Sequence, residues 1–171
     1  LSYRQQQAQL ADHAEAQIGA LHAAYAQGKV DRAGFTAAAV ALLAVVMEAA
    51  VQQADQALAD MLAEEGDTEA VPTGVVGPDA EDALTKAVST VLDGDDPEAG
   101  LGRLARWRVF EAGQFGWGDA LQRQPNVTGW TRQARGGACA TCRGLTGPTL
   151  PLTTPIWHHQ GCQCVQKPVP A

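Results

Sequence analysis

The sequence predicts a mainly α protein: a long antiparallel helical hairpin and further helices, followed by a small zinc-stapled, loop-rich α+β module. Three observations predict it. Alanine makes up roughly a fifth of the 171 residues while aromatic residues are only 5%, a composition of closely packed helices and not of a β-sandwich. Apolar residues recur at helical spacing through the first 65 positions. All four cysteines (Cys139, Cys142, Cys162, Cys164) fall in a carboxyl-terminal stretch rich in glycine and proline.

Leu10, Ala14, Ile18, Leu21 and Tyr25 step by three or four and so share one face of a helix over about 2–27. Gly28-Lys29-Val30 interrupts it, and Asp31 is an N-cap for the next helix. There Phe35, Ala39, Leu42, Val46 and Ala49 keep the same spacing, and the run reaches about residue 65. So short a connection forces the two helices antiparallel. Residues 1–65 are therefore the hairpin. The apolar run from Phe35 to Val51 is mostly alanine and contains Glu48, so it reads as a buried helix and not as a membrane span.

Residues 66–95 read as a linker with one short helix. Gly66–Ala80 has the glycine, proline and acidic content of a loop, and Asp79 caps a helix bearing Leu84, Ala87, Val88 and Val91. Asp96 followed by Pro97 is a cap and first-turn proline pair, opening a helical segment over 96–125. Gly113, Gly116 and Gly118 predict a kink or break in it before Leu121. From Pro125 onward long helices are excluded, and Thr128–Arg132 and Thr149–Leu152 are the expected short strands.

Charge is distributed unevenly. Residues 1–100 carry 4 basic and 17 acidic side chains, and residues 101–171 carry 8 basic and 2 acidic, for an overall net charge of -7. Bulk positive charge that would coat nucleic acid is excluded. Arg103, Arg106, Arg108, Arg123, Arg132 and Arg135 remain a candidate basic surface. The four tryptophans (Trp107, Trp117, Trp130, Trp157) read as core fillers around the carboxyl-terminal module.

The chemistry is concentrated at 126–171. Cys139-Ala-Thr-Cys142, a sixteen-residue gap and His159-Gln-Gly-Cys162-Gln-Cys164 offer five candidate metal ligands: Cys139, Cys142, His159, Cys162 and Cys164. Structural zinc takes four sulfur or imidazole ligands tetrahedrally, and a two-residue spacer lets one turn aim both side chains at one point. A segment this poor in bulky apolar residues has little core of its own, whereas structural zinc contributes about 10–16 kcal/mol in small fingers. His159 and Cys162 repeat the spacing of Cys139 and Cys142 and are the favoured second pair, with Cys164 as an alternative or supporting ligand. Other readings stay open: two disulfides, although the polar start at Ser2–Gln7 has no secretory signal character; a thioredoxin-like pair at Cys139 and Cys142, although Arg143-Gly-Leu-Thr-Gly-Pro cannot extend a helix; or a four-cysteine site. With only Glu111 and Asp119 as acids beyond residue 100, and no serine–histidine–aspartate set, paired carboxylates or phosphate loop, the chain does not read as an enzyme.

Trp130, then Cys139-x-x-Cys142-x-x-Leu145-x-Gly147, then His159-x-x-Cys162-x-Cys164 resembles the carboxyl-terminal module of the F-like minor head proteins of Mu-type tailed phages. That family usually ends His-Pro-Asn-Cys-Arg-Cys; here the proline and arginine are replaced by Gln160 and Gln163, and each potential ligand is kept. The resemblance spans about residues 101–167. It implies a minor structural component of the phage head (a virion protein inside the head near the portal, present in the host cytoplasm during assembly). It further implies association with the portal or other capsid proteins in multiple copies and a role in head morphogenesis or genome ejection. The residues themselves point to structural Zn2+ as the cofactor and to no membrane, and the resemblance makes packaged DNA a candidate contact of the basic carboxyl-terminal part. The alternative is the nucleic-acid-binding zinc module of a regulator with a helical dimerisation arm.

Overall fold

A computed structural model describes residues 2–66, 70–134, 136–156 and 164–171. The protein is mainly helical, as expected. Helices α1 (Tyr3–Ala26), α2 (Arg32–Glu64), α3 (Glu81–Leu92) and α4 (Pro97–Arg123) precede strand β1 (Val127–Gln133), a five-residue helix α5 (Ala140–Gly144) and strand β2 (Val165–Pro170). The chain forms two compact units, Leu1–Ala50 with Gly77–Ala112 and Val51–Val76 with Gly113–Ala171, so α2 and α4 each contribute a segment to both.

In the first unit each helix end is set by local chemistry. Ser2 opens α1 through a capping box: its hydroxyl accepts the Gln5 N–H at 3.4 Å, and the Gln5 side-chain oxygen accepts the Ser2 N–H at 2.9 Å. The helix ends in a Schellman turn, with Lys29 N–H donating to the Ala24 carbonyl and Gly28 N–H to that of Tyr25. Gly28 sits at φ 69°, which a side chain would disfavour. Asp31 then caps α2, accepting the Gly34 N–H at 2.7 Å. The hairpin is antiparallel: the buried Gln7 side chain near the start of α1 donates to the Ala50 carbonyl at 3.2 Å, while at the turn Phe35 packs against Tyr25 and His22 with ring centres 5.3 and 6.1 Å apart.

The buried seam of α1 is Gln7, Ala11, Ala14 and Ile18, and that of α2 in this unit is Phe35, Ala39, Leu43, Val46, Met47 and Ala50. Leu42 and Ala49, which the spacing placed on the seam, are half-buried flanks, and their neighbours Leu43 and Ala50 are buried instead. In a run this uniformly apolar, spacing alone does not centre the face. Helix α2 is long and apolar enough to cross a membrane by length and composition, and 44% of that apolar window is buried within the protein.

Ala80, not Asp79, occupies the cap position of α3; Asp79 supports it from one residue earlier by accepting the Glu81 N–H at 3.3 Å. Asp96 caps α4 as expected, accepting the Ala99 N–H at 3.2 Å. Leu84, Val88, Leu101, Ala105 and Val109 turn their faces inward. Arg106 bonds both Asp12 and Glu15 on α1, the latter at 3.0 Å, and Arg32 pairs with Asp93 at 2.8 Å.

In the second unit α4 continues through Gly113, Gly116 and Gly118 to Arg123, where the sequence predicted an interruption. The glycine at 116 is a packing device. A Cβ built there would lie 2.8 Å from the Val51 Cα and 2.9 Å from its carbonyl oxygen, so only glycine lets the two helix backbones meet. The segment after α2 is held down by Asp55, which is 4% exposed. Its carboxylate accepts the N–H groups of Thr73, Gly74 and Val75 at 2.9, 2.8 and 3.3 Å and the Thr73 hydroxyl at 3.1 Å. Gln124 at the end of α4 donates to the Val71 carbonyl at 3.0 Å.

Strands β1 and β2 pair antiparallel, with Trp130 opposite Pro168 and Gln133 opposite Val165. The expected strand at 149–152 amounts to a single bridge, in which Trp130 exchanges backbone bonds with Leu150 at 2.9 and 2.8 Å. The second strand is instead the proline-bearing carboxyl end. Because the Trp130 backbone groups point to Leu150, the Trp130–Pro168 pair is a non-bonded one, and the missing proline N–H faces away from β1. The outward Gln166 carbonyl is taken by the indole N–H of Trp117 at 2.7 Å. That edge is therefore covered at Gln166 and lacks a donor at Pro168, a defence against unwanted pairing.

Candidate metal centre

The Cys139–Cys142 turn is built by its own backbone. Cys139 has extended dihedrals and caps α5, its sulfur accepting the Cys142 N–H at 3.4 Å. The Arg143 N–H donates to the Cys139 carbonyl at 3.0 Å, and the Arg143 guanidinium donates to the Ala138 carbonyl at 2.9 Å. The N–H aimed at the Cys139 sulfur and the Arg143 bond to the Ala138 carbonyl hold the turn in shape. The sequence reading gave Arg143 no part in this. The signal was available, as a cation directly after the second cysteine.

Cys139 is exposed at the rim of the turn. Cys142 and Cys164 are 1% and 2% exposed and share one small cluster with Ala138, against which Ala134 and Ile156 pack. Cys164 immediately precedes β2, and Ala134 immediately follows β1, so this cluster lies at the Gln133–Val165 end of the sheet. Trp130 is fully buried and donates from its indole to the Thr154 carbonyl at 3.1 Å, which fixes the segment leading into Ile156.

Of the five ligands proposed from sequence, Cys139, Cys142 and Cys164 are thus placed. His159 and Cys162 lie outside the described residues, as do Trp157, His158 and Arg135. Among the described residues no disulfide joins the three cysteines, and no group of three or more His, Cys, Asp or Glu side chains is arranged to hold an ion. One sulfur of the C-x-x-C turn, that of Cys142, and the sulfur of the distant Cys164 enter one buried cluster, and thiolate sulfur is a donor that zinc takes. A four-ligand shell then needs side chains from the 157–163 segment.

No family model, curated protein or solved structure matches the chain.

The remaining candidate features are placed as follows. The C-x-x-C turn opens a helix of only five residues, and the two-stranded sheet beside it is antiparallel; a thioredoxin-like site is built on a parallel βαβ unit. Most of the proposed basic surface is committed within the protein. Arg106 is bound to Asp12 and Glu15, Arg108 to Glu111 at 2.7 Å and Arg123 to Asp119 at 2.5 Å, and Arg132 is buried. Hydrogen bonding to Asp12 is the main cause holding Arg106 above its ordinary value, against an opposing effect of burial. Arg103 is exposed. Trp117 and Trp130 are core residues with satisfied indole N–H groups, and Trp107 is half-buried.

Proposed function

We propose that the protein is a structural component of a tailed-phage head, a minor head protein whose carboxyl-terminal module is stapled by zinc. The observation that carries this reading is the meeting of Cys142 and Cys164 in one buried cluster, beside a strand centred on the buried Trp130. These are the landmarks, in the order tryptophan, C-x-x-C and terminal cysteine, on which the resemblance to the F-like minor head proteins rests. The helical hairpin is the part that grips a larger assembly, the portal or its capsid neighbours. The regulator reading receives less support, because Arg106, Arg108, Arg123 and Arg132 are paired or buried and so leave few cations for phosphates.

Fractionation tests the proposal. In cells that express the chain and release phage, an antibody against it should detect it in proheads and finished heads, co-sedimenting with the portal. Its presence in the lysate with none in either particle contradicts the reading.

A further inference from the structure

We propose that the thiol cluster is a latch for the carboxyl-terminal strand: an ion held by Cys142 and Cys164 fixes β2 onto α4 and makes its docking metal-dependent. This rests on the zinc reading above and adds a consequence to it.

Strand β2 has little to hold it by its own pairing. Among the described residues β2 pairs with β1 alone, and a two-stranded sheet is marginal by itself. Gln166 and Lys167 carry contacts from the strand to α4 and to the end of α2. The Gln166 carbonyl accepts the Trp117 indole N–H at 2.7 Å. The buried Gln166 side chain lies where Gly118 leaves room, an added Cβ there falling 3.2 Å from its oxygen. Lys167 meets Glu65 at 3.6 Å, both partly exposed, a pair of small worth.

The beginning of the strand is tied differently. Cys164 adjoins Val165, the first paired residue, and is buried with Cys142 among alanines and one isoleucine. That apolar contact is slight. Coordination of both sulfurs to one ion would fix Cys164 against α5, and with it the Gln133–Val165 register. When the ion leaves, the thiolates take up protons, the restraint is lost, and the strand separates from Trp117.

The indole N–H of Trp117 reports this directly. In the full-length 15N-labelled chain its resonance is assigned by its disappearance in Trp117→Phe, with zinc content followed in parallel by native mass spectrometry. The proposal expects slow solvent exchange of that proton in the zinc form. Exchange becomes fast after chelation under reducing conditions, and protection returns when zinc is restored. Cys164→Ser should lack protection even with zinc; if that variant does not fold, the chelation cycle on the unaltered chain still decides. Zinc bound and removable, with Trp117 equally protected in both states, overturns the latch and leaves the zinc reading standing. A chain that binds no zinc removes both.

Discussion

The carboxylate of Asp55 accepts the main-chain N–H of Thr73 at 2.9 Å, which turns a glycine- and proline-rich connection into part of the packed structure. With the Gly74 and Val75 N–H groups and the Thr73 hydroxyl added, successive backbone donors form a nest around a buried negative charge. A buried carboxylate without such partners would be strongly unfavourable. This one is fully supplied from a segment that composition alone assigns to loop.

Asp55→Ala should therefore cost about 1.5–3 kcal/mol, the range for hydrogen bonds to a charged group, with Asp55→Asn falling between it and the unaltered protein. Urea unfolding checks this. A loss of unfolding free energy below a few tenths of a kcal/mol would mean that the 70–77 segment does not depend on Asp55.

Two glycine substitutions should act in opposite directions. Gly116→Ala places a methyl group 2.8 Å from the Val51 Cα, and overpacking of this kind costs about 1–3 kcal/mol, more than the ~1 kcal/mol that alanine gains in a helix. Gly19→Ala in α1 meets nothing within 4 Å, so only the propensity gain applies and the protein should be stabilised by up to ~1 kcal/mol. Thermal melts of the pair settle it; equal signs would contradict the packing account of α4.

Arg106→Met should matter far less than Asp55→Ala. The guanidinium is 37% exposed and its partners Asp12 and Glu15 more so, and exposed pairs contribute about 0.2–1 kcal/mol. Its charge, held above the ordinary arginine value by Asp12, does not titrate near neutrality. The loss should accordingly shrink with added salt and show no change between pH 7 and about pH 9. A salt-independent loss above 2 kcal/mol would show a structural role for Arg106 that the ion pairs do not explain.

The parts of the fold legible in the sequence are those decided within one turn of the chain. The caps at Asp31 and Asp96, the break at Gly28 and the strand at Thr128–Arg132 follow from local chemistry, and the hairpin follows from periodicity with a short connection. What escaped was decided at a distance. Gly116 reads as a helix breaker until Val51 is found against it, and Pro168 reads as a strand breaker until its nitrogen is seen to face away from β1. Asp55 gives no sign of its partners, which lie 18 to 20 residues downstream. Along the sequence, acidic residues gather before about residue 100 and basic ones after it. Yet Arg106 with Asp12 and Lys167 with Glu65 join the basic later residues to the acidic earlier ones. At the candidate site, spacing marked the cysteines, but only the fold could bring Cys164 to Cys142 and give Arg143 a place in the turn.

The most direct measurement is the mass of the native, full-length chain purified under reducing conditions without chelator, taken before and after acid denaturation. The account predicts one zinc ion per chain, lost with the fold in acid, and thiols that react with a thiol reagent only after a chelator is added. A native mass equal to that of the bare polypeptide, with the cysteines freely reactive or oxidised in pairs, would contradict it.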